Sequence, residues 1–155
     1  MERGQRDPDA AGAVAPVLVL GIGSLLRTDD AVGRLVADRL AASAPDGVEV
    51  DSVHQLTPEL APRLARRDLV VFVDAAVDVS EVAVVELTID ASGRLLSHHL
   101  GPAGLLTLAA QLGWAPARAV AIHIPVTDLA LGTEVSEEAA VRTEEAFARL
   151  LRLVS

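Results

Sequence analysis

The stretch from Val17 to Leu40, VLVLGIGSLLRTDDAVGRLVADRL, constrains the fold of this chain more than any other. Val17 to Leu20 form a β-branched and leucine run without polar interruption, the pattern of a central strand covered on both faces. Gly21-Ile22-Gly23 then lets the backbone turn, and from Ala31 onward Val32, Leu35, Val36 and Leu40 recur at helical spacing. Thr28, Asp29 and Asp30 therefore occupy a loop at the carboxyl end of a strand, where open α/β sheets place their ligands. One of the three suits a helix cap, worth about 1 kcal/mol, and a first-turn acid is favoured by the helix dipole. Two adjacent acids still leave one for chemistry.

Part of this stretch matches a dinucleotide-binding fingerprint. Gly21 and Gly23 follow a strand, and Asp51 lies near the end of the next one, where a ribose-binding acid is expected. Leu26 holds the place of the third glycine, however. Asp29 and Asp30 would also put negative charge where a pyrophosphate must approach the helix N-terminus. Both facts argue against a dinucleotide.

The rest of the chain reads as a continuation of the same α/β pattern. Pro45-Asp46-Gly47 marks a turn, and Val48 to Val53 alternates as a second strand. Thr57-Pro58-Glu59 has the form of an N-cap, an N1 proline and a first-turn acid, opening a helix expected to run to about Arg67. Leu69 to Val73 is a second strongly buried strand, ending at Asp74. If the first and third strands are parallel neighbours, about 4.8 Å apart, Asp30 and Asp74 converge on one rim. Two uncompensated carboxylates beside a low-dielectric core cost several kcal/mol per ion unless a cation or hydrogen-bond donors meet them.

Val77 to Glu81 is too short for a parallel crossover, so the strand Val82 to Leu87 is expected to run antiparallel at an edge and end at the far rim. Residues 89 to 97 are long enough to climb back. There the chain reaches His98-His99-Leu100-Gly101-Pro102, and Pro102 with Leu105, Leu106, Leu108, Ala109 and Leu112 opens a helix. A histidine at its N-terminal end is held neutral by the dipole and is able to coordinate a metal. Ala119 to Ile124 forms the last strand and returns to the same rim, and Ser136 caps a terminal amphipathic helix to about Leu153. His123, inside that strand, reads as structural, and Asp128 as a turn-stabilising acid.

Composition limits the partners. At 155 residues the chain fits one domain, expected over residues 17 to 155 after a flexible tail over residues 1 to 16. Its net charge of −9 argues against nucleic acid or an anionic membrane and suits a cation or a basic surface. With no cysteine, disulfides and thiol nucleophiles are excluded. No apolar run approaches the roughly 20 residues needed to span a bilayer, and a cytoplasmic location is expected. The residues alone thus bring one imidazole and two carboxylates to one rim, a donor set for a borderline divalent ion. Spacing does not separate nickel from zinc, and there is no HExxH helix.

Three segments together resemble the hydrogenase maturation endopeptidases, which trim the C-terminal extension from the large subunit of nickel-iron hydrogenases. They are Gly21-Ile-Gly-Ser-Leu-Leu-Arg-Thr-Asp-Asp30, Val73-Asp74-Ala75 and His98-His99-Leu100-Gly101. The resemblance covers roughly Val17 to Leu151. It departs at Ser24, where the family usually has Asn, and at Ala31, where Gly is common.

The resemblance implies a three-layer α/β/α fold with a five-stranded mixed, mostly parallel sheet and one antiparallel edge strand. It also implies a metal-binding trio of Asp30, Asp74 and His98, with His99 as the second choice for the imidazole. Asp30 and Asp74 are the expected catalytic residues of an aspartate-type peptidase, and Gly23, Ser24 and Asp29 are expected to meet the substrate. Nickel would arrive with the large-subunit precursor and be sensed there, so that only a loaded precursor is cut. A non-catalytic module that binds or delivers nickel would explain the same trio and the same acidity.

Overall fold

The computed structural model describes residues 14–23, 31–43, 45–89, 100–126 and 137–155. Five strands form one sheet: β1 (Val17–Ile22), β2 (Val48–Val53), β3 (Leu69–Ala76), β4 (Ala83–Glu86) and β5 (Ala119–Pro125). Their spatial order is β2-β1-β3-β5-β4. All neighbours pair in parallel except β4, which runs antiparallel to β5 at the edge. The short connection after β3 dictates this, because it has no room for a crossover.

Side chains alternate between two apolar layers, as strand geometry requires. On one face Val19, Val71, Val73, Val120 and Ile122 meet α1 (Val32–Ser43) and α3 (Glu137–Val154). On the other, Leu18, Leu20, Phe72 and Ala121 pack against α2 (Pro102–Gln111) and a 3-10 helix (Pro58–Leu64). The three-layer mixed fold expected from the sequence is therefore the fold observed. Arg39 of α1 stacks over the Phe147 ring of α3, 4.1 Å from its centroid, and pairs with Glu144, joining the two helices on their solvent side.

Several boundaries differ from the sequence expectation, β4 among them, which spans Ala83–Glu86 rather than Val82 to Leu87. β1 continues through Gly21 to Ile22, and β3 continues through Asp74 to Ala76, so the acid stands within a strand rather than after it. The segment from Pro58 does not extend as a helix to Arg67. Pro62 has no N–H to give, and its ring opposes the carbonyl four residues back, so the chain takes a tighter 3-10 form and stops at Leu64. Thr57 caps it without a side-chain bond to the backbone, its hydroxyl lying 3.2 Å from Glu59. Within the expected tail, Ala15 and Pro16 are held: the Pro16 carbonyl accepts from the amides of Asp68 and Leu69, and that of Ala15 from Arg67. Residues 1–13 of the expected tail and the Ser136 cap lie outside the described residues.

The contact that positions the site is between backbones. A Cβ on Gly33, in the first turn of α1, would stand 2.3 Å from the Val73 carbonyl oxygen and 2.6 Å from that of Ile22. A Cβ on Gly21 would stand 2.6 Å from the Gly33 carbonyl oxygen and 2.5 Å from the Ala37 Cβ. Glycine at both positions lets α1 lie directly on β1 and β3. Gly33→Ala is expected to force helix and sheet apart at about 2 kcal/mol, lowering Tm by roughly 4–8 °C in a domain of this size. Gly101→Ala, where no atom of the described residues lies within 4 Å of the added carbon, should leave the melting curve within about 2 °C.

Candidate functional site

Parallel pairing brings the carboxyl ends of β1, β3 and β5 to one rim. β1 leaves it at Gly23, whose φ of 154° favours glycine and whose amide donates to the Val53 carbonyl at 3.0 Å. The chain returns at Ala31, which is buried against the sheet, and Gly33 then presses on the Ile22 and Val73 carbonyls. Asp74 is the next residue of β3. It is half-buried and lies on the same face as Phe72, the face covered by α2.

α2 runs back along that face. The segment after its C-terminal end reaches the opposite rim, where the Ala117 amide donates to the Arg67 carbonyl just before β3 begins. Ten residues at 1.5 Å rise span about 15 Å. The first turn of α2, entered through Leu100 and Gly101, thus lies toward the rim that carries Asp74. Beyond β3 and β5 the amide of Val126 still donates to the Ala76 carbonyl at 3.0 Å, keeping these strand ends paired.

Of the expected site residues, the structure describes Asp74 and Gly23, and both stand at this rim. Ser24, Thr28, Asp29, Asp30, His98, His99 and Asp128 lie outside the described residues. Among the described residues no three His, Asp or Glu side chains form a metal-holding group. One neighbour was not foreseen as part of the site: Asp74 is the register partner of His123 on β5. The sequence marks His123 as the one polar residue in an apolar strand, but their adjacency follows from strand order, which a local pattern does not carry.

Glu49 and Asp51, two further acids on this sheet face, are satisfied internally. Arg63 donates to Asp51 at 2.6 Å and to Glu49 at 2.5 Å, while Arg67, its side chain only 3% exposed, donates to Glu49 at 2.9 Å. Arg67 also bonds the carbonyls of Arg63 and Ala15, both at 2.9 Å. Asp51 is therefore engaged by an arginine and by the Ser52 amide, a structural role that agrees with rejecting the dinucleotide fingerprint.

No family model matches the chain, and no curated protein matches it. Solved structures do. The hydrogenase 2 maturation peptidase from Thaumarchaeota archaeon SCGC_AB-539-E09 is 28% identical, with a TM-score of 0.68 over 89% of this chain and 97% of that one. The hydrogenase maturating endopeptidase HybD from E. coli is 23% identical, with a TM-score of 0.73 over 89% and 91%. HybD from Thermococcus kodakarensis, a [NiFe] hydrogenase maturation protease, is 24% identical, with a TM-score of 0.67 over 90% and 99%.

The chain has the fold of the hydrogenase maturation endopeptidases. The resemblance carried by three short segments is thus one of the whole domain, and nearly the full length of each maturation protease is matched. No described helix is long and apolar enough to cross a membrane.

The arginine pair supplies a pH signature separable from the rim. Burial pushes the Glu49 carboxyl up, but hydrogen bonds from Arg67 and Arg63 outweigh it and hold the group below its ordinary value. A depressed folded pKa gives stability that is complete above the unfolded value, about 4.3, and lost as pH falls through the folded one. The stability difference between wild type and Glu49→Gln in urea denaturation should be constant from about pH 5 to 7. It should close progressively below about pH 4.

Proposed function

We propose that this chain is an endopeptidase that removes the C-terminal extension of a nickel-iron hydrogenase large-subunit precursor after nickel insertion. The observation that carries the proposal is the position of Asp74. It stands at the carboxyl rim of the sheet, beside the end of β1 and the first turn of α1, in a domain that superposes on maturation proteases along almost their whole length. Asp30 and His98 complete the proposed ligand trio, with Gly23, Ser24 and Asp29 meeting the substrate chain. The reaction takes place in the cytoplasm.

The donor chemistry suits the task. Carboxylate and imidazole together favour a borderline divalent cation, and the cation is part of the substrate. A nickel-loaded precursor presents such an ion to the rim, whereas an unloaded one meets carboxylates without it. A divalent cation offsets the mutual repulsion of carboxylates gathered at one rim, so the loaded form is the one this site favours. A chain without cysteine cannot cleave through a thioester, which leaves attack by water or another oxygen nucleophile on the scissile carbonyl.

The test is intact mass of a large-subunit precursor incubated with this protein, with and without nickel inserted. Loss of a C-terminal peptide from the loaded form alone is the expected result. Asp74→Ala should reduce that loss at least about 100-fold, the scale of removing a group that acts in the transition state, with an unchanged melting curve. An unprocessed precursor that a cognate protease does cut, together with tight binding of nickel by this chain, would favour a delivery module instead.

A further inference from the structure

The first turn of α1 carries a charge of the wrong sign. Arg34 follows Gly33 there, where the helix dipole favours acids and opposes cations. Among the described residues Arg39, Arg63, Arg67, Arg118 and Arg142 each pair with a carboxylate, and Arg34 pairs with none. Arg34 is half-buried, and its Nε is shut off from solvent without a hydrogen-bond partner. No other buried side-chain nitrogen or oxygen is left so among the described residues. An unsatisfied donor destabilises a fold, so its presence here calls for a reason.

The surroundings place this cation. A Cβ on Gly21 would stand 3.1 Å from the Arg34 Cα, so the residue rises over the end of β1. Gly21 is level with Val73, the residue before Asp74. One turn further along α1, on the same flank, Asp38 accepts from the Ser52 hydroxyl at 2.8 Å, so this flank faces the carboxyl end of β2. Asp38 is within helical reach of Arg34, yet it takes the hydroxyl and leaves the guanidinium free. The buried Nε marks a stem packed against the protein, which leaves the terminal Nη groups to meet a ligand.

We propose that Arg34 anchors one carboxylate of the precursor's C-terminal segment as that segment lies across the rim. This rests on the proposed peptidase function. A peptide running from Asp74 past Gly23 reaches Arg34 on the β2 side of β1. A planar guanidinium takes a carboxylate through two parallel hydrogen bonds, and an anion there also meets the positive end of α1. The net charge of −9 otherwise repels acidic groups, so an unpaired cation beside the rim gives specificity for a peptide with a carboxylate at that place. That carboxylate is an Asp or Glu side chain or the α-carboxylate of the chain end.

The experiment is kinetic and calorimetric. Nickel-loaded precursor is processed by wild type, Arg34→Gln and Arg34→Lys, and a synthetic peptide copying the precursor's C-terminal segment is titrated into each. Peptides with one carboxylate at a time neutralised, by Asp→Asn, Glu→Gln or a C-terminal amide, distinguish a side chain from the chain end. Arg34→Gln is expected to raise KM about 10–100-fold, the scale of hydrogen bonds to a charged group, acting on KM more than on kcat. Peptide binding should weaken by the same factor. One neutralised peptide should bind the wild type as weakly and lose nothing further on Arg34→Gln. Arg34→Lys keeps the charge without the planar fork and should fall between.

Melting supplies a second readout. Arg34→Gln should not lower Tm, because no pairing within the fold is lost, whereas an arginine with a purely structural role would lower it. Unchanged KM and peptide affinity in Arg34→Gln, equal binding of all the neutralised peptides, no peptide binding by the wild type, or a lowered Tm would each overturn the proposal. The peptidase reading fails separately. Precursor left uncut by the wild type while peptide binding still requires Arg34 would remove the protease assignment and leave the anchor standing.

Discussion

Everything at the rim depends on the contact between the first turn of α1 and the backbones of β1 and β3. Helix–sheet packing ordinarily places side chains between the two layers, and here Gly33 and Gly21 remove them at the point of crossing. The Ile22 and Val73 carbonyls lie under the helix start, which ties the return of the glycine loop at Ala31 to the two strand ends beside which Asp74 stands. Behind that crossing, Val32, Val36 and Leu40 pack conventionally into the core, so the close approach is local to the functional end. The opposite rim is fastened by a different device, the buried Arg67 guanidinium that joins Glu49 to the carbonyls of Arg63 and Ala15.

These two ends divide the acidity of the chain into different roles. Glu49 and Asp51 lie on the edge strand β2 beside a segment that supplies two arginines, and the resulting charge-assisted bonds hold that segment to the sheet. Asp74 lies two strands away, on β3, at the opposite end of the sheet from the buried Arg67. A net charge of −9 is thus not a uniform solvated coat. Part of it is neutralised inside the fold, and part stands where a cation-bearing substrate is proposed to dock.

Much of this was legible in the sequence because the determining patterns are local. Uninterrupted apolar runs marked β1 and β3, a run broken only by His123 marked β5, and the short connection after β3 forced β4 to turn back at an edge. The helix expected through Arg67 failed for an equally local reason, Pro62, whose missing amide weighs more than the favourable Thr57-Pro58-Glu59 opening. Asp74 was legible as a rim acid, yet its place inside β3 was not. Ala75 and Ala76 carry no β-branched signal, and only pairing with Ile124 and Pro125 of β5 extends the strand past them. Such pairing is non-local, and the same limit hid His123.

That limit bears on where donors are found in a fold of this kind. A donor on a loop must be ordered before it can hold a ligand, at a cost of about 1–2 kcal/mol for each backbone residue fixed. A donor on an interior strand has already met that cost in folding, because ladders on both sides hold its backbone in place. His123 has this character, with β3 on one side and β4 on the other, while Asp74 is held on its β5 side, with the carbonyl of Ala76 still bonded beyond them. The backbone of that row is therefore set by strand pairing before any ligand arrives at the rim.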